Sequence, residues 1–397
     1  MRAEEAGRAG AGGGTVILAA TIVFWTFAAL LVYVYLLYPI VVRSLAALAG
    51  RPVVRSTGYR PSVTVLITAY NEQQSIKAKI DNVLALEYPP HLLDVIVVSD
   101  ASSDGTDEAV RSHGSSRVQL LRVEGRVGKT ACQNAAVAQA RGEIVLFTDA
   151  TTHVSPDAVT AMLENFADPE VGCVAGLLVY QGKGENLTAA GGLSYWGYEV
   201  ALRCAESRLG TLIGVSGCLY AVRRSAYRPI APDVISDFVI AARMREQGLR
   251  TVLEKRAVCF EETLDRSGRE LAMRVRVAIR SINALVCERR LLNPFVDPLY
   301  AWQLWSHKLL RYASPYCFLA TLAASAVLAA APLYRLALAL QLAVIAAGVA
   351  GFLLQLSAHR LGVLSKPYYF LLTNLASAIA TVRYLRGDRM VTWNPIR

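Results

Sequence analysis

The sequence predicts an α/β domain with a parallel sheet, set between helices long and apolar enough to cross a bilayer. Three observations carry this. Long stretches towards both ends lack charge altogether. The middle of the chain alternates short apolar runs with longer amphipathic ones, and two of those runs end on an aspartate.

The 397 residues are 54% hydrophobic and 18% charged, where an ordinary soluble domain carries about 25% charge. The deficit is local. From Ala9 to Val42 there are 34 positions without Asp, Glu, Lys or Arg, and the gaps Arg311 to Arg335 and Arg335 to Arg360 leave 23 and 24 more. About 20 apolar residues span a hydrocarbon core, so each gap can cross, which excludes a soluble, secreted or wholly disordered protein. The run from Thr15 to Val42 is longer than a signal-peptide core of about 7–15 residues, and no small-residue cleavage site closes it, so it reads as a retained anchor.

The net charge is +10. Arg43, Arg51, Arg55 and Arg60 follow the first apolar run, and His307, Lys308 and Arg311 precede the second, where the positive-inside bias operates. The excess charge is therefore membrane-flanking, and nucleic acid is not the expected partner. The reading is a multi-pass protein of the inner (cytoplasmic) membrane, with its central domain cytoplasmic and its N-terminus outside. Seven scattered cysteines without a Cys-x-x-Cys pair indicate neither a zinc site nor a disulfide framework.

In chain order, 1–14 is Gly- and Ala-rich and expected to be disordered, 15–42 is the first transmembrane helix, and 43–61 is a basic linker. The domain over 62–266 follows. Its apolar runs "VTVLIT" (63–68), "LDVIVVSD" (93–100), "VQLLR" (118–122) and "EIVLFTD" (143–149) read as strands, with helices over 73–86, from Asp104, and over 129–140. Near-continuous apolar strands alternating with helices indicate a parallel sheet covered on both faces, whose ligands bind beyond the strands' carboxyl ends. Asp100 and Asp149 stand at those ends. "VGCVAGLLVY" (171–180), a polar turn at 181–186, a helix over 188–206, strands at 219–223 and 251–254, and a short helix over 238–247 complete the domain. Amphipathic interfacial helices are expected over 267–311. The Arg-rich one, 269–292, carries Leu271, Val275, Ile279, Ile282 and Leu285 on one side and suits the membrane surface and its anionic lipids. The segment 312–397 holds two more transmembrane helices, at 312–332 and 336–356, and a third stretch, 367–382, that is either a short span or re-entrant.

Several residues point to chemistry. "SDASSDGT" (99–106) closes a strand and opens a helix, so Asp100 can accept hydrogen bonds from a base or ribose above free backbone donors, while Asp104 is equally an N-cap. "GRVGKT" (125–130) lacks the first glycine of a P-loop, Val123 standing there, which argues against an ATPase; Lys129 is a phosphate contact or a surface lysine. Asp149 can bind a divalent ion that bridges diphosphate oxygens, or merely cap a turn. Asp233 and Asp237 precede a helix, and Asp237 is the better general base. Arg274, Arg276 and Arg280 are spaced to share a helical face and meet phosphate or anionic lipid.

Together these segments resemble the membrane-integrated members of glycosyltransferase family 2, the group of hyaluronan, cellulose and chitin-oligosaccharide synthases. "VTVLITAYNE" (63–72) is similar to that family's opening strand and nucleotide loop, which implies Ala69, Tyr70 and Glu72 beside the nucleotide. "VVSDASSDGT" (97–106) implies Asp100 on the base. "GRVGKTACQNAAVAQARGEIVLFTDA" (125–150) implies Lys129 near the nucleotide, Asn134 in support and Asp149 on Mg2+ or Mn2+. "SGCLYAVRR" (216–224) resembles the acceptor-side loop and places Ser216, Gly217 and Cys218 there. "SDF" (236–238) stands for the family's acidic pair, with Ser236 in the first place and Asp237 as base. The sequence departs from the family at Thr151, where a second metal-binding acid is usual, and at "RVRVAIR" (274–280), which lacks the Gln and Trp of the processive synthases and leaves the phosphate role to Arg276 and Arg280.

The resemblance implies a GT-A-like nucleotide-sugar-binding domain embedded between transmembrane helices. It implies an inverting, metal-dependent enzyme that moves a sugar from a nucleotide-diphospho donor, UDP-linked by expectation, to a lipid-linked or polysaccharide acceptor. Two other readings stay open. One is a processive synthase that exports its polymer, with Gln341, Gln355 and Asn374 as sparse channel lining that a homo-oligomer would complete. The other is a non-catalytic membrane scaffold on a degenerate transferase domain. "WSHKLLRY" (305–312) and "VTWNPIR" (391–397) are similar to segments of bacterial membrane transferases, which favours a setting in cell-envelope polysaccharide synthesis.

Overall fold

The computed structural model describes residues 2–181, 187–262, 267–356 and 362–392. The chain opens with α1 (Arg2–Val32), which continues through one π-helical turn, Tyr33–Leu37, into α2 (Tyr38–Ala49). The first turns of α1 cover the stretch read as disordered, whose side chains lie outside the described set apart from Gly14.

The central domain follows the expected alternation closely. β1 (Val63–Ala69), α3 (Ile76–Leu84), β2 (Leu93–Asp100), α4 (Thr106–Arg111), β3 (Val118–Val123), α5 (Lys129–Gln139) and β4 (Ile144–Asp149) form in that order. β5 (His153–Val154), α6 (Ala158–Leu163), β6 (Val171–Gln181), α7 (Leu187–Leu209), β7 (Leu219–Arg223), α8 (Ser236–Glu246) and β8 (Arg250–Glu262) complete it. β1 is buried at every position and β2 at all but one. Two apolar layers cover the sheet: Val65, Ile67, Leu146 and Met162 on one face, and Leu66, Phe147, Tyr220 and Val239 on the other.

The sheet corrects one expectation. Its order is β3-β2-β1-β4-β7-β6-β8-β5, and the first four strands are parallel as read. β7, however, runs antiparallel to both β4 and β6, so the sheet is mixed. A strand buried on both faces has the same apolar pattern in either direction, and nothing in "LYAVR" states its polarity. β8 is also longer than the segment 251–254. Lys255 and Arg256 interrupt its apolar run, yet the strand continues past a register shift against β6. The Arg256 guanidinium is satisfied there by Glu254 and Glu164.

Beyond the sheet lie α9 (Ser267–Cys287), α10 (Pro298–Leu304), a π turn (Trp305–Leu309), α11 (Leu310–Val327), α12 (Pro332–Leu356) and α13 (Ser365–Leu385). Among the described residues, two helical stretches are long and apolar enough to cross a membrane, Gly14–Ala49 and Pro332–Leu354. The expected span at 312–332 is α11, which stops at Val327 and buries Ser314, Thr321 and Ser325. The stretch 367–382 is instead a full helix, α13, that packs on α9. Val275, Ile279, Ala376 and Ala380 are all buried between them, with Leu271 and Ile282 alongside. The α9 side read as facing the membrane interface is therefore covered by protein. Gln341 and Asn374, two of the suggested channel residues, bond to Ser325 and Ser314 on α11. The side chain of the third, Gln355, lies outside the described residues, as do the polar turn beyond Gln181 and most of "VTWNPIR".

Candidate active site

The carboxyl end of β4 delivers Asp149, and the first residue of α5 delivers Lys129, whose ammonium is ion-paired to that carboxylate. The loop before β7 passes close to Lys129 and Asp237 at Gly217, where a side chain would crowd them. A Cβ there would sit 3.1 Å from Asp237 Oδ2 and 3.3 Å from Lys129 Nζ. Gly217 thus lets a carboxylate opening α8 and a lysine opening α5 approach one point.

These groups line one cavity of about 830 Å³, with Ser216, Gly217, Cys218, Glu261 and Arg276 on its wall. It continues past Tyr195, Tyr198, Tyr369 and Phe370 to Tyr35 of the first apolar helix. Among the described residues no hydrogen bond or ion pair reaches the Asp237 carboxylate. Burial lifts its pKa above the ordinary value, against the pull of Lys129, Lys308 and Arg280. Burial also works against the Lys129 ammonium, but Asp149 holds its pKa above the usual lysine value. The Glu261 carboxyl is pushed up to about 7 by burial and by the Asp149 charge.

The far wall carries a second polar cluster. Both ring nitrogens of His307 face carboxylates, Nδ1 lying 2.7 Å from Glu206 and Nε2 against Glu199. Arg311 donates to Glu199 at 2.6 Å, and the Tyr38 hydroxyl donates to Glu206 at 2.6 Å. This ties α2 and α7 to the helix entering α11, so the "WSHKLLRY" segment joins the cavity wall to the first apolar helix.

Other residues expected in the site serve the frame. Asp100 is fully buried and accepts from the backbone amides of Val127 at 2.8 Å and Gly128 at 3.1 Å. It holds the 125–128 loop and does not open into the cavity. Gly128 has φ +91°, and a Cβ on it would meet the Val391 carbonyl at 2.7 Å, so the C-terminal segment lies directly against this loop. Tyr70 stacks under the Arg126 guanidinium, 3.4 Å from ring centroid to its carbon. Ala69 is buried at the end of β1, and Glu72 accepts from Ser75 at 2.6 Å to shape the turn before α3. Ser236 is buried and lies outside the cavity wall.

Two assignments change. Asn134, read as supporting the nucleotide, instead clamps the 227–230 turn, accepting from Tyr227 at 2.8 Å and donating to the Ile230 carbonyl at 2.7 Å. Arg280, read with Arg276 as a phosphate contact, points away and donates to the Val234 carbonyl at 2.8 Å and Thr130 at 3.1 Å. Residues four apart on a helix diverge by about 40°, enough here to put Arg276 in the cavity and Arg280 behind it. Arg280→Ala is therefore expected to lower stability by roughly 1–3 kcal/mol, from the loss of two buried hydrogen bonds donated by a charged group. Thermal melting checks this, while donor affinity suffers less than in Arg276→Ala.

A strand-end carboxylate is a hard oxygen donor suited to Mg2+ or Mn2+. Among the described residues no three His, Cys, Asp or Glu side chains form a protein-only metal site. Thr151 is exposed and off the cavity wall. A divalent ion at Asp149 would thus rely on substrate oxygens and water as well. The residues present fit such an ion only with the donor bound.

Residues 64–230 match the model of Glycosyl transferase family 2. Over those residues the central domain is similar to family 2 glycosyltransferases. The glycosyltransferase match ends before Asp237, so the fold and not the family model joins that acid to Lys129 and Asp149. Over 204 residues the chain is 28% identical to the poly-beta-1,6-N-acetyl-D-glucosamine synthase of Staphylococcus aureus, covering 50% of this chain and 49% of that protein. The corresponding synthase of Staphylococcus epidermidis is 27% identical over the same length. The chain spans about half the length of these curated relatives. Among solved structures, mannosyltransferase PcManGT from Pyrobaculum calidifontis, in complex with GDP-Man and Mn2+, superposes with a TM-score of 0.71 at 26% identity. That match covers 94% of this chain and 99% of PcManGT, so the likeness includes the helices around the α/β domain.

Sequence reasoning missed Glu261 and Lys308. Glu261 ends an apolar strand run, "AVCFE", the same signal that marked Asp149, but the strand was read as closing at 254. Lys308 lies 5.5 Å from the Phe238 ring centroid and acts on Asp237 from a helix distant in sequence, which no local pattern announces.

Proposed function

We propose that this protein moves a sugar with inversion from a nucleotide-diphospho donor to a lipid-linked or polysaccharide acceptor at the cytoplasmic face of a membrane. The observation that carries it is the Asp237 carboxylate, unpaired among the described residues and held across Gly217 from the Lys129–Asp149 pair in one cavity. Asp237 takes the proton of the acceptor hydroxyl as that oxygen attacks the anomeric carbon. Lys129 and Arg276 meet the departing diphosphate on the other side. A base on one face and cations on the other need no covalent intermediate. Mg2+ or Mn2+, held by Asp149 with the donor, supplies further neutralisation of the diphosphate charge. PcManGT, similar over nearly its whole length, was solved in complex with GDP-Man and Mn2+.

The membrane setting draws on the outward faces of the two apolar helices. Val16, Leu18, Ile22 and Trp25 on one, and Leu336, Leu340, Val349 and Phe352 on the other, are exposed. Apolar surface of this extent seeks lipid or a partner. The cavity's reach to Tyr35 favours an acceptor that arrives along the membrane. The polysaccharide synthase relatives keep a processive reading in play.

The test is to incubate the detergent-solubilised protein with UDP- and GDP-sugars, Mg2+ or Mn2+ and native membrane lipids, then size the labelled product. A lipid bearing one added sugar supports single transfer, and a long polymer supports processive synthesis. Failure to bind any nucleotide overturns the enzyme reading in favour of a scaffold.

A further inference from the structure

We propose that Glu261 is the second carboxylate of the divalent-cation site, acting from the end of β8 in place of an acid at position 151. This rests on reading the cavity as a site for a nucleotide-diphospho donor. A hard divalent ion bound to such a donor takes one or two protein carboxylates, with phosphate oxygens and water filling the remaining positions. Asp149 supplies one. Thr151 supplies none, being uncharged, exposed and off the cavity wall.

The sheet brings the second acid from elsewhere. β7 pairs with β4, placing Leu219 beside Thr148, so Cys218 precedes the strand next to Asp149. The Cys218 thiol in turn donates to Glu261 Oε2 at 3.6 Å. Asp149 and Glu261 thus flank Cys218 on one wall of the cavity, together with Lys129. Among the described residues the thiol is the hydrogen-bond partner of the Glu261 carboxylate, and no ion pair reaches it. A thiol is a weak donor, and a half-buried carboxylate on a cavity wall gains from meeting a cation. Lys129, whose charge acts on Glu261, is bound to Asp149. A divalent ion between the two carboxylates satisfies both.

The experiment measures Mn2+ binding by electron paramagnetic resonance, with UDP or GDP present, for the wild-type protein, Glu261→Gln and Glu261→Asp. Nucleotide affinity without metal is measured in parallel. Glu261→Gln is expected to weaken nucleotide-dependent Mn2+ binding by about tenfold or more and to leave metal-free nucleotide affinity unchanged. Glu261→Asp, which keeps the charge, should recover part of the Mn2+ affinity. Wild-type Mn2+ affinity in Glu261→Gln overturns the proposal, and so does an equal loss of metal-free nucleotide binding, which assigns Glu261 to holding the wall. If the wild-type protein binds neither nucleotide, the donor-site reading itself fails and takes the proposal with it.

Discussion

Asp237→Asn is expected to bind donor normally and transfer sugar roughly 10²–10⁴-fold more slowly. The substitution is nearly isosteric, and the carboxylate it removes makes no hydrogen bond or ion pair among the described residues, so the frame keeps its contacts. What is lost is the group that accepts the acceptor's proton. The pH profile gives an independent sign. A base works deprotonated, and burial lifts the Asp237 pKa, so the acid limb of kcat should lie above the range of an ordinary carboxylate. Lys308 pulls that pKa down, and Lys308→Met should therefore move the acid limb to higher pH. Initial rates measured across about pH 4 to 8, with donor saturating, check both.

Lys129→Met should lower kcat by roughly 10²–10³-fold, the usual scale for losing one charge-stabilising donor. Lys129 sits within reach of both Asp149 and the point where Gly217 admits the reacting groups. Its loss removes the cation opposite Asp237 and leaves Asp149 without its ion pair. The same change removes a positive charge that pulls the Glu261 carboxyl down. Metal should consequently matter more to the variant than to the wild-type protein. Rates across a Mn2+ titration measure this, with nucleotide binding as the check that the pocket survives.

The part of the site legible in the chain was the part written in local pattern. An apolar strand ending on Asp149, a Gly-Lys opening a helix, and an acid opening another are short-range signals, since strand ends and helix starts are set by neighbouring residues. Asp100 carried the same signal and is engaged by backbone amides in this structure. Its carboxylate is used up by the amides of a loop whose path only the fold reveals. Arg276 and Arg280 looked equivalent in "RVRVAIR", and helical phase relative to α13 and α5 separated them. Glu261 went unread because Lys255 and Arg256 break the strand pattern that Glu254 and Glu164 repair.

By itself the sequence determined the apolar ends, the β1-β2-β4 framework and the three residues Lys129, Asp149 and Asp237, because each follows from spacing over a few residues. The tertiary structure decided the direction of β7, the burial of α9 against α13, and which of several charged groups meet in the cavity. Those depend on contacts between segments far apart in the chain, where strand polarity and helical rotation are set by packing and leave no mark on local composition.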